Sequence, residues 1–248
     1  MRINIQLFNE DCLAIIPTLE NNSIDLLITD PPYNLGEFIQ KRNYNIKNMR
    51  ENNLLNAKDW DSLSKEEYLV NMDKFFQEVF SKLKIGANII IFISSLRIES
   101  IVEIAEKYGF YYKTTGVWHK TNPMPRNMNL HFINSNEFWI YFVYKKRTGN
   151  VFNNENKMIM DYIESSTPKS SEKQYGKHPT QKPIQIIDYL IKILSREGDL
   201  VLDPFLGSGT TGESAVRLKR NFIGIELDRN YFEMAKKRIE SAKESNDT

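Results

Sequence analysis

The sequence predicts an α/β fold: a mixed, mostly parallel sheet of about seven strands with helices on both faces. Three observations carry this. Short apolar runs alternate with amphipathic stretches of helical length. Two of the runs, "LLITDPP" (26–32) and "LVLDPF" (200–205), end in an aspartate followed at once by proline. The second of these passes through a glycine turn, "LGSGTTG", into a helix. In sheets of this kind ligands bind at the carboxyl ends of the strands, so the two aspartates mark where chemistry belongs.

The elements follow in chain order. "DLLIT" (25–29) is a buried strand bounded by turn residues. "SKEEYLVNMDKFFQEVFSKLK" (64–84) has apolar residues at helical spacing, a capping-box signature in Ser64 and Glu67, and Gly86 as its expected stop. "ANIIIFIS" (87–94) is a second buried strand, and "LRIESIVEIAEKYG" (96–109) is a helix closed by Gly109. "EFWIYFVYK" (137–145) is an aromatic strand whose Phe138, Trp139, Tyr141 and Phe142 belong to the sheet core, as Tyr111 and Tyr112 are expected to. "IQIIDYLIKILSREG" (184–198) is a helix set between Pro183 and Gly198. "DLVLD" (199–203), "TGESAVRLKR" (211–220) and "NFIGIEL" (221–227) give strand, helix and strand, and a last helix starts near Arg229. Two stretches resist this pattern: "NLGEFIQKRNYNIKNMRENN" (34–53) and 150–177, both polar and too long for ordinary connections.

With 248 residues, 41% of them hydrophobic and 26% charged, the chain has the composition of a soluble globular protein. Its one cysteine, Cys12, excludes an intramolecular disulfide framework and suits a reducing cytoplasm. No signal-peptide core opens the sequence, no run is long enough to span a membrane, and no metal site is expected. A net charge of +1 does not announce a polyanion partner, so contacts to one must come from local patches. Residues 38–50 hold Lys41, Arg42, Lys47 and Arg50 without an acid, and 118–131 hold His119, Lys120, Arg126 and His131 without one. Between Lys145 and Lys182, eight Lys or Arg face four acids, beginning with Lys145, Lys146 and Arg147. Taken singly, each patch reads as a solvated loop.

In "LVLDPFLGSGTTGESA", Gly207 and Gly209 permit left-handed backbone and close approach of a ligand. Thr210 and Thr211 are placed to cap the next helix. Glu226 ends the following strand about 20 residues on, where an acid can hold ribose hydroxyls. Gly207, Gly209 and Gly212 spell the dinucleotide pattern literally, which leaves an NAD-dependent oxidoreductase as one reading. Asp203 opposes it, because an acid before the glycines repels a pyrophosphate. The sulfonium and ammonium of S-adenosylmethionine suit an acidic loop better.

"DPPY" (30–33) answers what such a cofactor is for. Asp30 and Pro31 each precede a proline and are held extended, and Pro31 and Pro32 lack N–H groups. The Asp30 carboxylate and the Pro31 carbonyl thus form a stiff edge of acceptors beside the flat ring of Tyr33. A planar guest bearing an NH₂ fits it. The exocyclic amine of adenine or cytosine is a poor nucleophile until acceptors grip its hydrogens and localise the lone pair. Tyr33 stacks on the base and aligns it, and such a base must be turned out of its duplex first.

These residues resemble the beta class of DNA amino-methyltransferases, the restriction-modification enzymes that methylate adenine N6 or cytosine N4. "DPPY" is similar to their catalytic motif, "DPFLGSGTTG" (203–212) to their adenosylmethionine motif, and "HPTQKP" (178–183) to a further cofactor segment, in the order of that class, over about residues 3 to 240. The resemblance implies a Rossmann-like adenosylmethionine-dependent methyltransferase fold with permuted motif order, in one catalytic domain spanning 1–248. Residues 145–177, with the loop 34–58, are implied as the target-recognition insertion. Asp30, Pro31, Pro32 and Tyr33 are implied as catalytic. Asp203, Phe205, Gly207, Ser208, Gly209, Thr210 and Glu226 are implied to line the cofactor from one side. His178, Thr180 and Lys182 come from the other, and Asp11 and Cys12 lie near its adenine, with Asp30 at the boundary. Lys41, Arg42, Lys120, Arg126, Lys145, Lys146 and Arg147 fall on segments implied to face double-stranded DNA. A cognate restriction endonuclease, a homodimer, and a cytoplasmic, nucleoid-associated location are further implications. Asp30 in first place favours adenine; cytosine-N4 methylation is the alternative, since that family more often starts its motif with serine. A silent DNA-binding regulator would not need Asp30 and Tyr33 intact.

Overall fold

The computed structural model describes residues 3–33, 63–125 and 129–247. Strand β1 (Ile5–Phe8) leads through a single turn, α1 (Cys12–Ile15), to β2 (Ile24–Thr29). Helix α2 (Lys65–Val79) opens on the expected capping box: Ser64 Oγ accepts from the Glu67 amide, and the Glu67 carboxylate accepts from the Ser64 amide. Then come β3 (Leu83–Ile93), α3 (Ile98–Lys107), β4 (Phe110–Lys120), β5 (Asn136–Tyr144) and β6 (Tyr162–Ser165). Helix α4 (Ile184–Leu194), β7 (Leu200–Asp203), α5 (Thr210–Arg217), β8 (Asn221–Ile225) and α6 (Arg229–Asp247) complete the chain.

The strands form one eight-stranded sheet in the order β1-β8-β7-β2-β3-β5-β4-β6. Among the described strands only β5 runs against its neighbours; the other pairings are parallel. Alternate residues of each strand feed opposite faces. Ile89, Ile91 and Ile93 of β3 join Tyr68, Met72, Phe75 and Phe76 of α2 and Ile101 of α3 in one core. Ile90 and Phe92 join Ile187 and Ile191 of α4, Val216 of α5 and Ile239 of α6 in the other. The sheet is therefore covered on both sides, as buried parallel strands require. Among the described residues no helix is long and apolar enough to cross a membrane.

Several elements differ from their sequence signals for local reasons. The sheet has one strand more than the expected seven or so. Gly86 does not end α2: the helix stops at Val79, tightens into a 3-10 turn (Phe80–Lys82), and Gly86 lies inside β3 with φ +84°. The β2–β3 register shifts between Ile24 and Leu26 there, and Asn150 packs against the glycine. Strand β4 gave no alternating signal because its pairing with β5 shifts between Tyr112 and Thr114. Tyr111 and Tyr112, expected in the core, are exposed. Trp139 and Phe142 are buried in the sheet as expected. Thr210 and Thr211 are not caps: Gly209 occupies the cap position of α5 in left-handed backbone, with no side-chain cap bond. Helix α4 ends at Leu194, short of Gly198. Segment 150–177, read as patternless, supplies the edge strand β6.

Candidate active site

The parallel strands present their carboxyl ends on one edge of the sheet, and that edge carries a row of acids. Asp11 follows β1, Glu226 follows β8, Asp203 ends β7 and Asp30 follows β2, on four strands adjacent in that order. The antiparallel β5 begins where the others end, so Glu137 joins the same edge. The two Asp-Pro tips seen in the sequence thus sit on neighbouring strands, with Leu26 opposite Val201 and Leu27 opposite Leu202.

At Asp30 the chain builds a small ionic cluster. The buried ammonium of Lys182 donates to Oδ2 of Asp30, lies 3.2 Å from Oε2 of Glu137, and reaches the Tyr33 hydroxyl and the Thr180 carbonyl at 3.4 Å each. It also sits 5.6 Å from the ring centroid of Tyr33 and 5.1 Å from that of Phe92. Glu137 is held at its other oxygen by Lys120 at 2.7 Å. Oδ1 of Asp30 is buried and has no hydrogen-bond partner among the described residues. Burial pushes the Asp30 carboxyl up, and Lys182 opposes the rise. Burial acts against Lys182 too, but Asp30 and Glu137 outweigh it and raise the amine. Burial would raise Glu137 likewise; Lys182 and Lys120 bring it below the usual carboxylate range.

The glycine turn occupies the next part of the edge. Asp203 Oδ1 accepts from the Thr29 hydroxyl at 2.7 Å and the Phe205 amide at 3.2 Å. Burial pushes Asp203 up to about 6 against those bonds. Glu226 accepts from the Gly207 amide at 2.7 Å and the Asp228 amide at 2.9 Å, and burial pushes it up to about 7. No lysine or arginine of the described residues pairs with either acid, so neither carboxylate has a cation beside it there. Ser208 and Thr210 are buried with their hydroxyls 3.1 Å apart, and the half-buried Phe205 packs 5.7 Å from Phe75. His178 comes from the opposite side: its ring lies against Gly207 and edge-on to Tyr231, 4.4 Å between centroids. Burial, then Lys182 and Arg238, lower this imidazole to about 4, so it is neutral at physiological pH. Exposed Thr180 places its amide and hydroxyl 3.4 Å from His178 Nδ1. Asp11 caps α1 through the Leu13 amide at 2.9 Å, and Cys12 is a buried core residue whose thiol burial pushes up.

The geometry places three groups of the expected residues as follows. Lys182 faces Asp30 and Glu137, because its ammonium is drawn to the buried carboxylates across the edge. Lys120, expected to face DNA, is paired with Glu137 and half-buried. Lys145, Lys146 and Arg147 follow the carboxyl end of β5, which its reversed direction places at the opposite edge of the sheet, beside Gly109. Lys41, Arg42 and Arg126, with the loop 34–58, lie outside the described residues. Sequence reading passed over Glu137 and Thr29. The one available signal was an acid opening the otherwise apolar "EFWIYFVYK" run. It also passed over Arg238, buried in α6, which bonds Glu213 and the Glu172 carbonyl. Glu172 in turn holds Gln181 and caps α4 at Ile184, and so fixes the segment that delivers Lys182.

The profile of the DNA methylase family matches residues 24–237. The Type II methyltransferase M2.DpnII of Streptococcus pneumoniae is 33% identical over 97% of this chain and 91% of its own length. The Type II methyltransferase M.HpaI of Haemophilus parainfluenzae is 31% identical over 95% of this chain and 74% of its own. Among solved structures, the M1.HpyAVI–SAM complex superposes with a TM-score of 0.71 at 32% identity, covering 95% of this chain and 98% of that one. The cytosine-N4-specific PvuII DNA methyltransferase superposes at 0.75 with 19% identity, covering 98% and 92%, a likeness of fold alone.

Proposed function

Because this chain belongs to the DNA methylase family, we propose that it methylates double-stranded DNA on the N6 amino group of an adenine turned out of the duplex, using S-adenosylmethionine. The observation that carries this reading is Oδ1 of Asp30: a buried acceptor with no hydrogen-bond partner among the described residues, at a strand tip beside Tyr33 and next to the acidic glycine turn. A buried acceptor left open costs roughly 1–3 kcal/mol, which a donor arriving with the substrate recovers. The amine N–H of a base is such a donor, and the Pro31 carbonyl is a second acceptor for it. Tyr33 holds the ring of the base. Asp203 and Glu226, without cationic partners among the described residues, fit a ligand that brings a positive charge and ribose hydroxyls. His178, neutral against Gly207, closes the other side of that turn. The bound cofactor supplies an electrophilic methyl group on a sulfonium.

Labelled adenosylmethionine and unmethylated bacterial DNA, digested to nucleosides after reaction, test the reading. Label in N6-methyladenine is expected. Label in N4-methylcytosine replaces the base assignment, and unlabelled DNA overturns the reading. The proposal extends to one catalytic domain over the whole chain, to a cytoplasmic homodimer, and to a cognate endonuclease of the same specificity. DNA seated over Tyr33 meets the connection between β4 and β5, where Leu130 and Phe132 are 81% and 99% exposed, and the 145–177 segment near β6. The triple variant Lys145→Ala, Lys146→Ala, Arg147→Ala is expected to keep DNA affinity within about twofold, with an unchanged slope of log affinity against log salt. A slope lowered by two or three would return those residues to the interface.

Cofactor affinity is expected to depend on pH through Glu226. Ribose hydroxyls donate to an ionised carboxylate, whereas the free protein holds a proton there until pH rises through about 7. Binding therefore releases a proton and tightens as pH rises. Calorimetry should show Kd falling about tenfold between pH 6 and pH 8. Glu226→Gln should flatten that profile.

A further inference from the structure

We propose that Lys182 and Glu137 are positioning residues for methyl transfer: Lys182 occupies one oxygen of Asp30 so that the other is presented to the target amine, and Glu137 holds Lys182 there. This rests on the function proposed above and deepens it.

The geometry divides the Asp30 carboxylate in two. Oδ2 is taken by the Lys182 ammonium, whereas Oδ1 is buried and open. An ammonium has three donors and no acceptor, so it can hold a carboxylate but cannot compete with it for the amine hydrogens of a base. Holding Oδ2 fixes the side-chain torsion of Asp30 and with it the direction of Oδ1. It also keeps the group an acceptor. A protonated Asp30 would carry an O–H, which does not grip an amine hydrogen and does not stabilise the positive charge that grows on nitrogen as the N–C bond forms. Burial drives Asp30 toward that state, and Lys182 opposes it.

Lys182 is in turn fixed from several sides. Its chain is only 5% exposed, and Glu137, Tyr33 and Thr180 supply oxygens around its ammonium. Glu137 would be a liability as an unpaired acid beside Asp30. Lys120 at 2.7 Å neutralises its other oxygen, and the cluster Lys120–Glu137–Lys182–Asp30 alternates in sign. Its members come from the end of β4, the start of β5, the segment before α4 and the tip of β2, so the cluster forms only when those elements are assembled. The other titratable groups facing it are the Tyr33 hydroxyl, Asp203 on β7, Tyr68 of α2 beside Tyr33, and the neutral His178, which lies between the charges of Lys182 and Arg238.

The test is the pH profile of methyl transfer to DNA for the wild type and for Lys182→Met, Lys182→Arg and Glu137→Gln, with adenosylmethionine binding measured by calorimetry on each. Lys182→Met is expected to lower kcat at pH 7 about 100-fold and to move the acid limb to higher pH, with cofactor affinity changed less than about threefold. Lys182→Arg keeps a cation and should recover most of the loss with a near-wild-type limb. Glu137→Gln removes a negative charge beside Asp30, so its acid limb should move the other way, to lower pH. Opposite displacements are not produced by a general loosening of the fold. Wild-type limbs in both Lys182→Met and Glu137→Gln overturn the proposal, as does a Lys182→Met defect lying wholly in cofactor affinity. If Lys182→Met does not fold, Lys182→Arg and Glu137→Gln decide alone: a Glu137→Gln limb that does not move down, or a Lys182→Arg limb displaced upward, overturns it. A wild type that labels no DNA fails the underlying function instead, and the two failures are thereby distinct.

Discussion

Asp30→Ala is expected to lower methyl transfer by about 10²–10³-fold while adenosylmethionine still binds. The magnitude follows from removing one preorganised group aimed at charge that develops in the transition state. Alanine leaves the Pro31 carbonyl and Tyr33 in place, so the base can still enter, but the strongest acceptor is gone and Lys182 is left with Glu137 alone. The variant has a second consequence. Asp30 stands beside Asp203 and contributes to its raised carboxyl, so its loss eases the charge on Asp203 and does not weaken the cofactor side. Single-turnover transfer, read alongside cofactor binding by thermal shift, separates the two effects, because a ligand that binds only the folded state raises Tm. Retained transfer would remove Asp30 from the reaction; lost cofactor binding would make it a cofactor residue first.

The legible parts of this molecule were those fixed by local chemistry. Ser64 and Glu67 cap α2 as their spacing says, because a capping box needs only four consecutive residues. Asp30 and Asp203 could be placed at strand tips because proline forces the exit from each strand. Both then fall on the ligand-binding edge of a parallel sheet, and the order β7-β2 sets them side by side. What stayed hidden depended on partners distant in sequence. Lys182 belongs to a segment that resembles a cofactor motif, yet its ammonium meets Asp30, 152 residues away. Glu137 looked like the flank of a core strand; only the reversed direction of β5 brings it to the acidic edge and sends Lys145 to the other. Strand β4 was silent because a register shift breaks its alternation at Tyr112.

Gly209→Ala is expected to destabilise the protein by roughly 2–5 kcal/mol, from left-handed backbone (about 1–2) and overpacking (about 1–3). Gly209 has φ +81°, and an added Cβ would lie 2.7 Å from the Cα of Ala235 and 2.8 Å from its Cβ. Those atoms belong to helix α6 and cannot yield unless the helix moves. At about 2–4 °C per kcal/mol for a chain of this size, Tm should fall by about 4–20 °C. Cofactor binding should fall with it, because the turn from Gly207 to Gly209 is reset. Gly212→Ala provides the contrast. That residue is helical, and its Cβ would meet the ends of the Ile239 and Phe222 side chains, at 2.3 Å and 2.7 Å. Side-chain ends can rotate, and alanine recovers about 1 kcal/mol of helix propensity. Gly212→Ala should therefore lose less stability and keep its cofactor affinity. Equal losses in the two variants would count against this assignment. The distinction bears on the literal G-x-G-x-x-G spelling, which on its own suggests a dinucleotide. Gly209 and Gly212 are both pressed against α6, so the pattern records close helix packing, a demand that any nucleotide-type cofactor can share. Within that turn it is Asp203, an acid before the glycines with no cation beside it among the described residues, that opposes a pyrophosphate, whereas Glu226 stands where either cofactor would offer ribose hydroxyls.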